Sequence, residues 1–120
     1  MQIKAIDAVS LKKRIDEGSA MLVDVRETHE YTREHIEGAR LVPLSRFDVE
    51  DFRQNRDRTV VFYCLSGGRT NANARLFASK GFREAYALSG GIRAWKAAGL
   101  PTKSKHGAAE GGRKRFGWLF

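Results

Sequence analysis

Apolar positions follow two rhythms along this chain. Short continuous apolar runs recur, and between them apolar residues return every third or fourth position. Continuous runs of about four to eight residues suit strands buried on both faces, and the wider spacing suits helices with one buried stripe. A first short strand is read at Ile3–Ile6. Asp7 then precedes a stripe at Leu11 and Ile15, which predicts an N-capped helix over 8–17 stopped by Gly18. The run over 20–25, ending Asp24-Val25, predicts a buried strand. A short helix is predicted over 28–35, opened by Thr28, carrying Glu30, Tyr31 and Glu34, and closed by Gly38. Residues 40–42 predict a short strand interrupted by Pro43. Phe47, Val49 and Phe52 predict a short helix over 46–54. Thr59–Tyr63 is β-branched and aromatic, which predicts a buried strand. Ala72, Leu76, Phe77 and Lys80 predict a helix over 71–80 capped by Gly81. The last strand falls at 85–88. Gly90 and Gly91 then turn into a helix over 92–98 around Trp95, ended by Gly99 and Pro101.

This alternation predicts an α/β fold: a doubly wound, mostly parallel five-stranded sheet with helices on both faces. Such sheets hold ligands at the carboxyl ends of their strands. Two predicted strands end in chemistry, one at Asp24-Val25-Arg26 and one at Cys64. A length of 120 residues gives room for one domain with a real core. That domain is assigned to residues 1–101, and 102–120 to a tail. The tail opens as a glycine-rich polar linker over 103–112 and ends in Arg113-Lys114-Arg115-Phe116-Gly117-Trp118-Leu119-Phe120. Basic and aromatic residues together suit a membrane surface or a partner. Folding back onto the domain and lack of fixed structure are the two other readings.

Charge and cysteine content narrow the class. Net charge is +8, and the tail holds half of it. No nucleic-acid signature accompanies the charge, so a solvated basic surface is expected and no nucleic-acid partner. One cysteine excludes an intramolecular disulfide and a multi-cysteine metal site, and it favours a reducing compartment. The N-terminal residues form no apolar signal core, and no apolar run approaches the roughly 20 residues of a membrane span. A cytoplasmic protein without metal or other cofactor is expected. His29 and His106 lack partners that suggest metal binding.

The chemistry concentrates in Cys64-Leu65-Ser66-Gly67-Gly68-Arg69-Thr70. The cysteine stands where a strand passes into a helix through a glycine pair. A short loop there turns several backbone N–H groups into one hollow, which favours an anion and lowers a thiol pKa. Gly67 and Gly68 let the backbone curl, and Arg69 adds positive charge at the rim. The loop itself favours the thiolate, so no neighbouring general base is needed. The bland alternative is an inert cysteine buried at a strand end.

Three segments in order resemble the single-domain rhodanese-like sulfurtransferases. They are Leu22-Val23-Asp24-Val25-Arg26 with Glu30-Tyr31 and 34–39, the loop 63–70, and Leu88-Ser89-Gly90-Gly91-Ile92 with Trp95 and Gly99-Leu100-Pro101. The resemblance spans about residues 3–101. Small departures exist: Glu34 stands where the family usually has Gly, and Thr70 replaces a usual Ser. Leu65 is apolar where many thiosulfate-using members carry a polar or charged residue, which leaves the donor open. The resemblance implies that Cys64 takes sulfur from a small anionic donor, thiosulfate or similar, and becomes a persulfide. It implies that N–H groups of Leu65 to Arg69 cradle the persulfide and that Arg69 helps bind the donor. Cyanide, a thiol or a protein cysteine then accepts the sulfur. Related phosphatases and arsenate reductases need one more residue between Cys and Arg, so phosphatase chemistry is disfavoured.

Bland roles are assigned to several other residues. Asp24 and Arg26 either shape the pocket or hold the 28–38 segment, with Arg26 paired to Glu30. His35 is read as structural and Trp95 as core. Ser66 is a candidate donor to the persulfide. Three functions compete: a sulfurtransferase acting on small molecules, a sulfur relay to a partner protein, and a redox- or anion-sensing module.

Overall fold

The computed structural model describes residues 3–104. Within them, five strands form one sheet: β1 (Ile3–Ile6), β2 (Met21–Asp24), β3 (Arg40–Leu41), β4 (Thr59–Tyr63) and β5 (Glu84–Leu88). Their order is β1-β5-β4-β2-β3, and every pairing is parallel. The predicted doubly wound α/β architecture is therefore what the chain forms. β4 is buried along its whole length, as its unbroken apolar run requires.

Alternation along β4 divides the core in two. Val61 and Tyr63 face Leu11, Leu22, Ile36, Leu88 and Trp95. Here α1 (Ala8–Asp16) covers the sheet. It starts where Asp7 Oδ1 accepts a hydrogen bond from Ser10 N at 2.7 Å, so the predicted cap is formed. Val60, Phe62 and Cys64 face the other way, into a layer of phenylalanines. Phe62 stacks on Phe77 with centroids 4.4 Å apart, and Phe47 touches Phe52, Phe62 and Phe77.

Three predicted helices differ from the observed ones. The stretch read as one helix over 71–80 starts earlier and is split into α3 (Gly68–Ala72) and α4 (Ala74–Ala78). The α2 helix (Thr28–Arg33) opens at Thr28 as read but stops at Arg33, short of His35. Residues 46–54 form no α-helix; 3₁₀ turns occur at Leu44–Val49 and Arg53–Asn55. Each difference has a local cause. Asn73 Nδ2 donates to Arg69 O at 2.8 Å, the carbonyl its own backbone N–H would use in an α-helix, and that N–H turns to Thr70 O. Glu34 is extended, with φ −167° and ψ 132°, and the His35 backbone bonds Lys103 instead of continuing the helix. Phe47 and Phe52 are both buried while Val49 is 78% exposed, and a five-residue step does not return to the same helical face.

Packing continues past Pro101. Thr102 is buried, and Lys103 exchanges backbone hydrogen bonds with His35 at 2.7 and 2.8 Å. Trp95 is core, as expected, and its Nε1 donates to Pro101 O at 2.8 Å. The three readings of the basic, aromatic chain end fall outside the described residues. Among the described residues no helix is long and apolar enough to cross a membrane.

Phe47→Ala should cost about 3–5 kcal/mol of stability. Urea unfolding should show a lower midpoint with an unchanged slope. A midpoint equal to that of the unmodified protein would contradict this account of the aromatic layer.

Candidate active site

Parallel pairing of β2 with β4 sets Asp24 beside Tyr63 at the carboxyl edge of the sheet. The residues that follow both strands, Arg26 and Cys64, are therefore brought to the same edge. Cys64 continues β4, and its thiol is buried. The chain then turns through Gly67, whose φ of +101° is open to glycine at little cost. That turn aims Gly67 N at the Cys64 Sγ, 3.1 Å away. Thr70 Oγ1 lies 3.9 Å from Sγ and 3.0 Å from Gly67 O, so its one proton is shared between them. Burial pushes the thiol pKa up. The backbone N–H groups of Thr70, Gly67 and Arg69 and the Thr70 hydroxyl outweigh it, and the pKa falls below the ordinary thiol value.

The carbonyls on the back of the loop have separate partners. α5 (Gly91–Ala97) begins directly behind it. Ile92 N donates to Cys64 O at 2.9 Å, and Arg93 N donates to Leu65 O at 3.1 Å. This contact requires glycine at position 91. A Cβ there would lie 2.5 Å from both Cys64 O and Leu65 O. The glycine pair read from the sequence as a simple turn thus also braces the loop.

Asp24 and Arg26 form a buried pair. Arg26 Nη2 donates to Asp24 Oδ2 at 2.8 Å, and Arg26 Nε and N both donate to Asp24 Oδ1. Arg26 Nη2 also reaches Glu34 O at 2.6 Å, so the pair grips the end of the 28–38 segment. Tyr63 holds the same segment from β4, accepting from Ile36 N at 3.1 Å. Burial pushes the Tyr63 pKa up, so its hydroxyl stays protonated. His35 stacks on Tyr31 with centroids 3.9 Å apart, and its Nδ1 lies 2.9 Å from Tyr31 O.

The expected Arg26–Glu30 pair does not form. Arg26 is engaged by Asp24 and Glu34. Glu30 instead reaches across to the loop, where Arg69 Nη1 and Nη2 donate to its two oxygens at 2.8 and 2.9 Å. Arg69 is therefore a rim charge with a carboxylate already bound to it. Its hydrogen bonds lower the Glu30 pKa from 4.5 to about 2, with burial opposing. Ser66 is exposed and lines a cavity of about 300 Å³ with Lys4, Gly67, Thr70, Asn71 and Gly90, but Cys64 is not on its wall. Gly68 is exposed and Leu65 half-buried. Among the described residues no cluster of His, Cys, Asp or Glu is arranged to hold a metal ion.

Known proteins resemble this chain. The rhodanese-like domain family matches residues 7–98. A protein from Allochromatium vinosum named sulfurtransferase is 32% identical over 106 residues, covering 88% of this chain and 99% of its own. The thiosulfate sulfurtransferase GlpE of Coxiella burnetii is 30% identical over 96 residues, covering 80% of this chain and 87% of its own. An uncharacterized Synechocystis protein is 39% identical over 93 residues, and this chain spans about half, 52%, of its length. The solution NMR structure of a rhodanese-like domain from Anabaena superposes with a TM-score of 0.75 at 29% identity, covering 97% of this chain and 90% of that one.

Two outcomes are expected. Thr70→Val removes the hydroxyl at Sγ and should raise the midpoint of the pH profile for Cys64 alkylation by roughly half a unit to one unit. An unmoved midpoint would exclude the hydroxyl from tuning the thiol. The folded Glu30 pKa lies below its ordinary value, so the stability from its pair is complete above pH 4.5 and is lost as pH falls toward 2. Glu30→Gln should flatten the loss of stability across that window in acid-dependent denaturation. A slope equal to that of the unmodified protein would remove Glu30 from the acid response.

Proposed function

The chain belongs to the rhodanese-like domain family, and we propose that it is a sulfurtransferase working through a persulfide on Cys64. The observation that carries this reading is the set of backbone N–H groups turned onto the Cys64 Sγ, with Gly67 N at 3.1 Å. They lower the thiol pKa against the effect of burial. A thiolate held this way is the nucleophile the chemistry needs. The names of the Allochromatium and Coxiella relatives agree with it.

In the proposed cycle the Cys64 thiolate attacks the outer sulfur of a donor such as thiosulfate. A sulfur–sulfur bond forms to Cys64, and the donor's sulfur–sulfur bond breaks. Sulfite leaves with the electron pair. The N–H groups of Leu65, Ser66, Gly67, Gly68 and Arg69 hold the terminal sulfur anion. A thiophilic acceptor, such as cyanide or a thiol, then attacks that sulfur and Cys64 departs as thiolate. Each leaving group is already a stabilised anion, so neither half needs a proton donor. Asp24 and Arg26 act as supports, holding the 28–38 segment beside the loop.

Intact-protein mass spectrometry tests the cycle directly. After thiosulfate, the unmodified protein should gain one sulfur atom and lose it on addition of cyanide, while Cys64→Ser should gain nothing. A blank result with thiosulfate, methanethiosulfonate and an alkyl persulfide would overturn the sulfurtransferase reading.

A further inference from the structure

Two guanidinium groups at the loop mouth are each matched by a carboxylate. Arg69 is the single charged residue between Cys64 and Thr70. Both of its terminal nitrogens are taken by Glu30. Glu30 is itself fixed from behind, because its Oε1 also accepts from Glu27 N at the start of α2. The other guanidinium at this edge, Arg26, is closed in the same way by Asp24. Leu65 brings no charge. What the loop's own seven residues leave for an anion is the partial positive charge of the backbone N–H groups, which suits the one sulfur anion they surround.

A singly charged donor matches that supply, and a dianion brings a second charge that neither of these paired guanidinium groups is free to meet. We propose that Glu30 is a specificity-determining residue that, by neutralising Arg69, tunes the site toward singly charged sulfane donors of the thiosulfonate or alkyl persulfide type and away from dianionic thiosulfate. The inference rests on the Cys64 persulfide reading. Arg69 is within electrostatic reach of the reacting sulfur: its pKa is raised first by Glu30 and further by the Cys64 thiolate. A change of one unit charge on the Arg69–Glu30 pair therefore acts on whatever approaches Cys64.

Two donors of like chemistry separate the charge effect from other effects. Thiosulfate releases sulfite, and methanethiosulfonate releases methanesulfinate. In both, Cys64 thiolate gains one sulfur and the sulfinate-type group departs with the bonding electrons. The donors differ by one negative charge. The readout is the ratio of kcat/KM for thiosulfate to that for methanethiosulfonate, with cyanide as acceptor. Glu30→Gln leaves the mouth one unit more positive and should raise the ratio by about three- to tenfold at low salt. Arg69→Gln leaves it one unit more negative and should lower the ratio by a similar factor. The double variant is neutral again and should return to the unmodified ratio. Added salt should compress all four values toward one another. Variants that lose both activities in proportion, with the ratio unmoved, would overturn the proposal and reduce the pair to a brace for the loop. If the unmodified protein forms no Cys64 persulfide with either donor, the sulfurtransferase reading itself fails.

Discussion

A loop that turns its N–H groups inward turns its carbonyl groups outward, and buried carbonyls need donors. This constraint governs the molecule. The carbonyls of Cys64 and Leu65 are met by the first N–H groups of α5, at Ile92 and Arg93. A helix start has such donors to spare, since its first turn has no partners within the helix. The two backbones approach so closely that position 91 has no room for a Cβ. The sheet order then becomes intelligible. β5 must lie beside β4 for its following helix to begin behind the β4 loop, and it does.

Around that brace, the chain uses ion pairs to fasten segments rather than to add surface charge. The Asp24–Arg26 pair is almost fully buried, and Arg26 carries a further hydrogen bond to Glu34 O. Burying two charges is costly, and breaking such a pair costs more than forming it returns. Its service is geometric, because it holds the 28–38 segment against the sheet edge. The Arg69–Glu30 pair is more open to water, so its stabilisation is modest. It too ties α2 to the loop.

The sequence made the architecture readable because both periodicities are strong. Thr59–Tyr63 is uninterrupted, and a run that apolar has few places outside a central parallel strand. The loop was readable for a local reason: Cys64, Gly67, Gly68 and Arg69 are neighbours in sequence and act within one turn. The pairing of Glu30 with Arg69 was not readable, since the partners stand 39 positions apart. Glu30 meets Arg69 because α2 packs across the edge, whereas Arg26, nearer in sequence, was already taken by Asp24. The break at Asn73 was hidden for a different reason. Apolar spacing at Ala72, Leu76 and Phe77 is helical on both sides, and only the side-chain bond to Arg69 O interrupts it. Gly91 has a second role that its sequence context does not show. A glycine in a turn and a glycine under a crowded backbone look alike in sequence.

The bracing of the loop by α5 also fixes when the site comes into being. A ribosome delivers the chain from its N-terminus, so Cys64 emerges well before Gly91. β5 completes the sheet by entering between β1 and β4, which do not touch each other without it. Until that insertion the Cys64 and Leu65 carbonyls lack the partners that α5 gives them. The turn around Cys64 is thus fully braced only once α5 has begun behind it. The loop's geometry therefore depends on the whole parallel sheet and not on its own seven residues alone.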